Sequence, residues 1–263
     1  MIAPLHAASD FSRQVLAVAE SDIRKLRHDP TELFTRMVQP VLWLLVFGNV
    51  LAKARVMPTG NIGYLDFIAP GILAQSVLFV AIFYGVSVIW ERDLGILQKF
   101  LVSPAPRSAL VLGRALSSGI RGLSQGLVIY VLALIAGVQL RLGPPAVLAV
   151  AFTVMLASAT FATFSLVVAC LVKTRERFMG IGQVLTMPLF FASNAIYPIT
   201  MMPAWLRGVA LANPLTYQVD ALRTFMLPGA ASAFGVGIDF GVQLAVLALL
   251  VATASRLYPG IIT

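Results

Sequence analysis

Histidine and cysteine are almost absent from this sequence, two and one in 263 residues. His6 and His28 both precede the first long apolar run, so the clustered ligands of a metal centre at membrane depth are missing. Cys170 has no second cysteine for an internal disulfide and lies in an apolar run, where it reads as a small packing residue. Charge is equally scarce. Asp, Glu, Lys and Arg make up 11% of the chain, against about 25% in soluble domains, which excludes a water-soluble protein. Between residues 37 and 196 no Asp or Glu falls inside an apolar run, which disfavours a carrier or channel driven by a proton or sodium gradient.

A phosphate loop is missing as well. Lys173-Thr174 is the one Lys followed by Ser or Thr, and the loop would need glycine at 167 and 172, where valine stands. No nucleotide, cofactor or metal is therefore expected on this chain, and an intramembrane enzyme has no catalytic constellation to rest on. The first 30 residues carry Asp10, Arg13, Glu20, Asp22, Arg24, Lys25 and Arg27, leaving no uncharged core for a cleavable signal peptide.

What the sequence has is apolar length. Hydrophobic residues form 59% of it and the mean hydropathy is +0.90, arranged in blocks near the roughly 20 residues that cross a bilayer. The blocks predict an all-α membrane protein with six transmembrane helices, over 37–52, 68–90, 120–140, 146–171, 179–196 and 239–257. One domain fills 1–263: a cytoplasmic arm over 1–36, the six-span core over 37–257 and a cytoplasmic tail over 258–263. Pro70 falls in the first turn of the second span, and Pro188 is expected to kink the fifth. The run from Ala157 to Thr163 in the fourth is rich in small residues that let helices approach closely.

Basic residues orient the chain. Placing the N-terminus inside puts fourteen of the nineteen Lys and Arg on the cytoplasmic side, so both termini are expected there. The net charge of +8 is then a matter of topology, and nucleic acid is not expected as a partner. Residues 11–26 have an apolar stripe interrupted by Asp22, which suits a helix in the membrane surface or an ordinary solvated one. Residues 91–107 combine Glu91, Arg92, Asp93, Lys99 and Arg107 with Leu94, Leu97 and Leu101 at helical spacing, stopped by Ser103-Pro104. Such a short amphipathic helix either docks in a groove of a soluble protein or rests on lipid.

Some charged positions admit two readings. Arg114 and Arg121 are seven apart, hence on one helical face, with Gln125 a turn beyond; they line a polar inner vestibule or snorkel to headgroups. Asp220 and Arg223 are three apart and placed to pair. Asp239 reads as a hydrated residue at the start of the last helix. Met187, Met201 and Met202 either meet apolar cargo or fill gaps.

The segment Glu91-Arg92-Asp93-Leu94-Gly95-Ile96-Leu97-Gln98, followed by Leu101-Val102-Ser103-Pro104, resembles the cytoplasmic loop of type-2 ABC transporter permeases. That group includes daunorubicin-resistance, nodulation and polysaccharide-export membrane subunits. Asn213-Pro214-Leu215-Thr216-Tyr217, with Arg223 six residues on, is similar to the family's Pro-Leu-x-Tyr-x5-Arg motif. The stretch from Gln39 to Gly48 and Pro188-Leu189-Phe190-Phe191 fit the same pattern, whereas Ile96 and Gln98 depart from the Thr and acidic residue common in the loop.

The resemblance implies a permease subunit of an ATP-driven exporter in a bacterial plasma membrane. It implies a second permease chain, identical or a sister, and separate ATPase subunits that hold ATP and magnesium. Residues 91–104, with Glu91, Arg92, Asp93, Leu94, Gly95, Leu97, Leu101, Ser103 and Pro104, would form the coupling helix, and 11–26 the interfacial helix. Residues 197–227 would form short outer re-entrant helices packed through Pro214, Tyr217, Asp220 and Arg223, and the first and fifth spans would flank the dimer seam. An amphiphilic drug-like or lipid-type cargo is expected, a lipid-linked glycan being the alternative.

Overall fold

A computed structural model describes residues 20, 38–54, 62–95, 107–172 and 174–258. Most of the 11–26 segment, the loop residues 96–106 with Leu97, Leu101, Ser103 and Pro104, and the last five residues lie outside the described residues. Every regular element within them is helical. In chain order they are α1 (Val38–Lys53), α2 (Tyr64–Asp93), α3 (Arg107–Ile135), α4 (Pro144–Leu171) and α5 (Arg175–Phe191), then α6 (Ala204–Ala212), α7 (Pro214–Met226) and α8 (Val236–Leu257).

Four of these, α2, α3, α4 and α8, are long and apolar enough to cross a membrane. The six expected spans are thereby reduced to four that qualify by length. At 1.5 Å per residue α1 covers about 24 Å and α5 about 26 Å, short of a hydrocarbon core about 30 Å thick. Within α1, Leu42–Gly48 is wound as a π-helix, the wider winding that appears as a local bulge in helices.

Local chemistry sets the ends, and several differ from expectation. α3 stops at Ile135, not 140, because Gly137 at φ +83° closes it. The Val138 amide reaches the Ala133 carbonyl and the Gly137 amide the Leu134 carbonyl, the paired bonds of a glycine-terminated helix. α5 stops at Phe191, not 196. Residues 192–197 turn away there, with the Ser193 hydroxyl donating to the Phe190 carbonyl. Pro188 thus sits in the last turn of α5. α2 begins four residues earlier than expected, at Tyr64, so Pro70 lies in its second turn rather than its first.

α2 and α4 form the centre. α2 packs on α1, α3, α4, α5 and α7, and α4 on α2, α3, α5, α7 and α8. The small-residue run in α4 is where its neighbours come closest: a side chain on Gly122 of α3 would run into the Ser158 hydroxyl. At the α2–α4 crossing the Ser165 hydroxyl donates to the Ile82 carbonyl and accepts from the Gly85 amide, 3.1 Å away. α8 lies at the periphery, with Asp239, Gln243 and Ala254 as its buried residues.

Candidate transport cavity and helix-end clamps

A cavity of about 930 Å³ lies among the start of α1, the second half of α2, the middle of α3 and the start of α5. Its apolar wall is aromatic, built by Phe79, Phe83, Tyr84 and Trp90 of α2 with Met179 of α5. Its polar wall is Gln39, Gln75, Ser76, Ser87, Glu91, Arg121 and Gln125. Because α2 is thirty residues long, its faces supply both walls over several turns. The Arg121 guanidinium stands 5.4 Å from the centre of the Tyr84 ring, in range of attraction to the aromatic face. Gln125 is buried, and its Oε1 has no hydrogen-bond partner among the described residues. The arrangement suits a guest with an apolar body and a hydrogen-bonding head.

Of the three residues read from sequence as either lining a vestibule or snorkelling, two face this cavity. Arg121 and Gln125 line the cavity; Arg114 does not. Seven residues of helix are about 10.5 Å along the axis, which brings Arg114 down to the level of the last turn of α2. There its Nη2 meets Glu91 Oε2 at 2.5 Å, and its Nε donates to the Tyr258 hydroxyl at 3.2 Å. All three residues are buried. Removing such charges from water is tolerated only where each finds a partner.

Glu91 is consequently not a surface residue of a separate loop helix. Glu91, Arg92 and Asp93 form the last turn of α2, and the chain leaves the helix at Leu94 and Gly95, the latter at φ +69°. Leu94 is exposed. Asp93 binds Arg92 at 3.0 Å and Arg175 at 2.9 Å, and Arg175 also stacks 3.8 Å from the centre of the Trp90 ring. The last turn of α2 thus clamps α3 through Glu91 and the start of α5 through Asp93. Nothing in the sequence around Arg175 marks this partner, 82 residues away.

The motif around Asn213 to Arg223 gathers at the opposite end of α2. Asn213 caps α7 by accepting from the Leu215 amide, while its Nδ2 donates to the Leu189 and Ala192 carbonyls at 2.7 and 3.0 Å. Pro214 occupies the first turn, where its missing N–H costs nothing. The Tyr217 hydroxyl donates to the Leu211 carbonyl and ties α7 to α6. Arg223 stacks 3.8 Å from the centre of the Phe67 ring and donates to the Phe67 and Asn194 carbonyls at 3.3 and 2.9 Å. This pins α7 to the start of α2 and to the turn after α5.

The expected Asp220–Arg223 pair does not form. Asp220 instead accepts from Ser232, Ala233 and Phe234 in the segment before α8. Asp239 is also not hydrated; it is fully buried and hydrogen-bonded to Ser232. Nothing in the sequence around Ser232 marks it out, since its role depends on two carboxylates that folding brings to it.

A family model described as ABC-2 type transporter matches residues 13–227. The putative transport permease ycf38 of Cyanophora paradoxa is 29% identical over 218 residues, 81% of this chain and 74% of that one. The daunorubicin resistance ABC transporter permease protein DrrB1 of Streptomyces coeruleorubidus is 24% identical over 88% of this chain and 81% of its own. The inner membrane transport permease YadH of Escherichia coli K12 is 25% identical over 71% and 73%. With the match running through most of the helices described and into the Asn213–Arg223 motif, the chain belongs to the ABC-2 type transporter family and is a multi-pass membrane permease, a transport subunit without catalysis of its own.

Proposed function

We propose that this chain is one permease of an ATP-driven exporter in a bacterial plasma membrane, carrying an amphiphilic drug-like or lipid-type molecule. The family implies an ATPase partner in general terms. In this reading the partner holds ATP and magnesium, docks at the end of α2 carrying Glu91, and works with a second permease chain. α1 and α5 complete six crossings, drawing flanking residues into the bilayer to make up their length. Both termini then lie in the cytoplasm, where most of the basic residues fall.

One observation carries the reading. The aromatic and amide-lined cavity sits directly beside the last turn of α2, so a push on Leu94 and Gly95 acts on the helix that forms both cavity walls. Residue 91 onward is also where the sequence resembles the coupling loop. Drug resistance belongs to the relative in Streptomyces, and the character of the cavity is what extends an amphiphilic cargo to this chain.

The test is purification of the tagged chain from its native membranes, with ATPase activity measured on what accompanies it. A stoichiometric ATPase that is lost when Leu94 and Leu97 are both changed to Asp, in a protein that still inserts, supports the docking site. A chain that purifies alone and moves substrate down an ion gradient overturns it.

A further inference from the structure

The segment joining α7 to α8 brings two buried carboxylates onto one hydroxyl. Ser232 Oγ lies 2.7 Å from Asp220 Oδ2 and 2.9 Å from Asp239 Oδ2, and it accepts from the Gly235 amide at 2.7 Å. Each oxygen–oxygen contact of that length requires a hydrogen between the two atoms. A serine hydroxyl has one hydrogen and two lone pairs. It can donate to one carboxylate only. The second contact is a hydrogen bond only if that carboxyl brings a proton of its own.

The surroundings decide which one does. Asp220 Oδ2 also receives the Ala233 and Phe234 amides at 2.8 and 3.3 Å, so three donors converge on it. With three donors on it, that oxygen is wholly an acceptor and has no place for a proton. Asp239 has no comparable support. It is fully buried, and its Oδ1 has no hydrogen-bond partner among the described residues.

A second, independent feature lies one turn further along α8. Gln243 shares the buried stripe with Asp239, is 1% exposed, and neither atom of its amide group has a partner among the described residues. The side of α8 turned to the protein thus carries an acid and an amide in its first half, where an apolar stripe would be ordinary. Phe234 against Tyr217 and Phe240 against Phe225 close the region with rings whose centres lie 5.0 and 6.1 Å apart.

We propose that Asp220, Ser232 and Asp239 form a binding site for a single proton, carried on Asp239 Oδ2. Asp239 donates to Ser232 Oγ, Ser232 donates to the ionised Asp220, and Gly235 N–H fills the remaining lone pair of the hydroxyl. Every donor and lone pair of Ser232 is then used once. Loss of the proton to solvent converts Asp239 to a carboxylate and leaves two negative charges on either side of one hydroxyl. The segment 227–235 then loses one of the bonds that hold it between α7 and α8.

Other titratable groups are placed to leave this site to itself. α4, which packs against α8, carries no Asp, Glu, Lys, Arg or His, and its Cys170 lies at the far end. α3 also touches α8; its arginines 107, 114 and 121 lie in its first half, and its Tyr130 donates to the Arg141 carbonyl. On α7 the Tyr217 hydroxyl is bonded to Leu211 and Arg223 to Phe67 and Asn194. Arg256 is nearly five turns from Asp239 along α8, and 227–235 has no titratable side chain.

Infrared difference spectra of the full-length chain in lipid nanodiscs, taken between acidic and alkaline buffer, test this directly. The wild type should show the carbonyl stretch of a protonated carboxyl that disappears on alkalinisation, and Asp239→Asn should lack it. Asn supplies the same donor to Ser232, so this variant should fold. The wild-type Tm should fall relative to that of the variant as the pH rises. Identical spectra for wild type and Asp239→Asn, or parallel Tm profiles, would mean that both carboxyls are ionised and would overturn the site. If Asp239→Asn fails to insert, Ser232→Ala takes its place. Removing the acceptor of the acid proton should shift the stretch, and an unshifted stretch assigns it to other carboxyls and overturns the proposal.

Discussion

Arg223 shows how a single side chain can hold the ends of three segments. Its Nη2 reaches two carbonyls on different segments while the flat face of the guanidinium stacks on Phe67. A lysine offers a point charge with neither fork nor face. Arg223→Lys is therefore expected to cost about 2 kcal/mol, the range of a charge-assisted hydrogen bond. Thermal unfolding of the purified protein checks this, and an unchanged Tm would show that the stacked guanidinium contributes nothing. Asn213 acts in the same region, but through a cap that also bonds two carbonyls at the end of α5. The residues of this motif are thus packing residues by geometry, whatever else they do in transport.

At the scale of elements, the α2–α4 crossing depends on the absence of a side chain at Gly85. A Cβ there would strike the Ser165 hydroxyl and come within 2.6 Å of the Phe178 ring. Gly85→Ala should destabilise by about 1–3 kcal/mol, the usual cost of overpacking. Adding Ser165→Ala should recover part of that loss, since one of the two colliding groups is then gone. A double variant no better than the single one would place the strain on Phe178 alone. The end of α2 is governed by glycine in a different way. Gly95 sits at φ +69° with open space around it, so a substituted residue meets backbone strain and no clash. Gly95→Val should leave insertion intact while redirecting the chain after Leu94. In the coupling reading, ATPase activity then runs without transport, which paired assays of the two would show.

For the whole molecule, the Glu91–Arg114–Tyr258 cluster joins α2, α3 and the residue that follows α8 at one end of the bundle. Breaking one member leaves a buried charge without its partner. Glu91→Gln is expected to lose about 3–5 kcal/mol, and pairing it with Arg114→Met should return most of this. A double-mutant cycle by thermal unfolding measures the coupling, and additive losses would show that the pair is not energetically joined. If this end also receives the ATPase, the double variant should regain stability without regaining full transport, because the helices are no longer held as one body.

How much of this was legible before folding can be argued residue by residue. The positions of α2, α4 and α8 followed from long apolar runs, because hydrophobic length is a property of a contiguous stretch. The end of α3 was missed because Val138 and Leu140 prolong the apolar run past Gly137, where backbone geometry overrides hydropathy. The end of α5 was missed because Ala195 and Ile196 are apolar yet belong to a turn tied to Arg223 and Asn213. Helical spacing put Arg121 and Gln125 on one face without saying whether it met a vestibule or headgroups, and the fold sets both against the cavity. Arg114 was misplaced because spacing gives a face and not a depth, and depth is what brings it to Glu91.

The sequence by itself determined that this is a helical membrane permease of the ABC-2 type, since composition, apolar length and two linear motifs need no knowledge of packing. It determined in the same way that the chain lacks a phosphate loop. Tertiary structure alone decided the partners of the few charges: Glu91 with Arg114, Asp93 with Arg175, and Asp220 with Ser232 instead of Arg223. A charge in an apolar protein must find a partner wherever the fold brings one, and the partners here lie from 12 to 82 residues away along the chain.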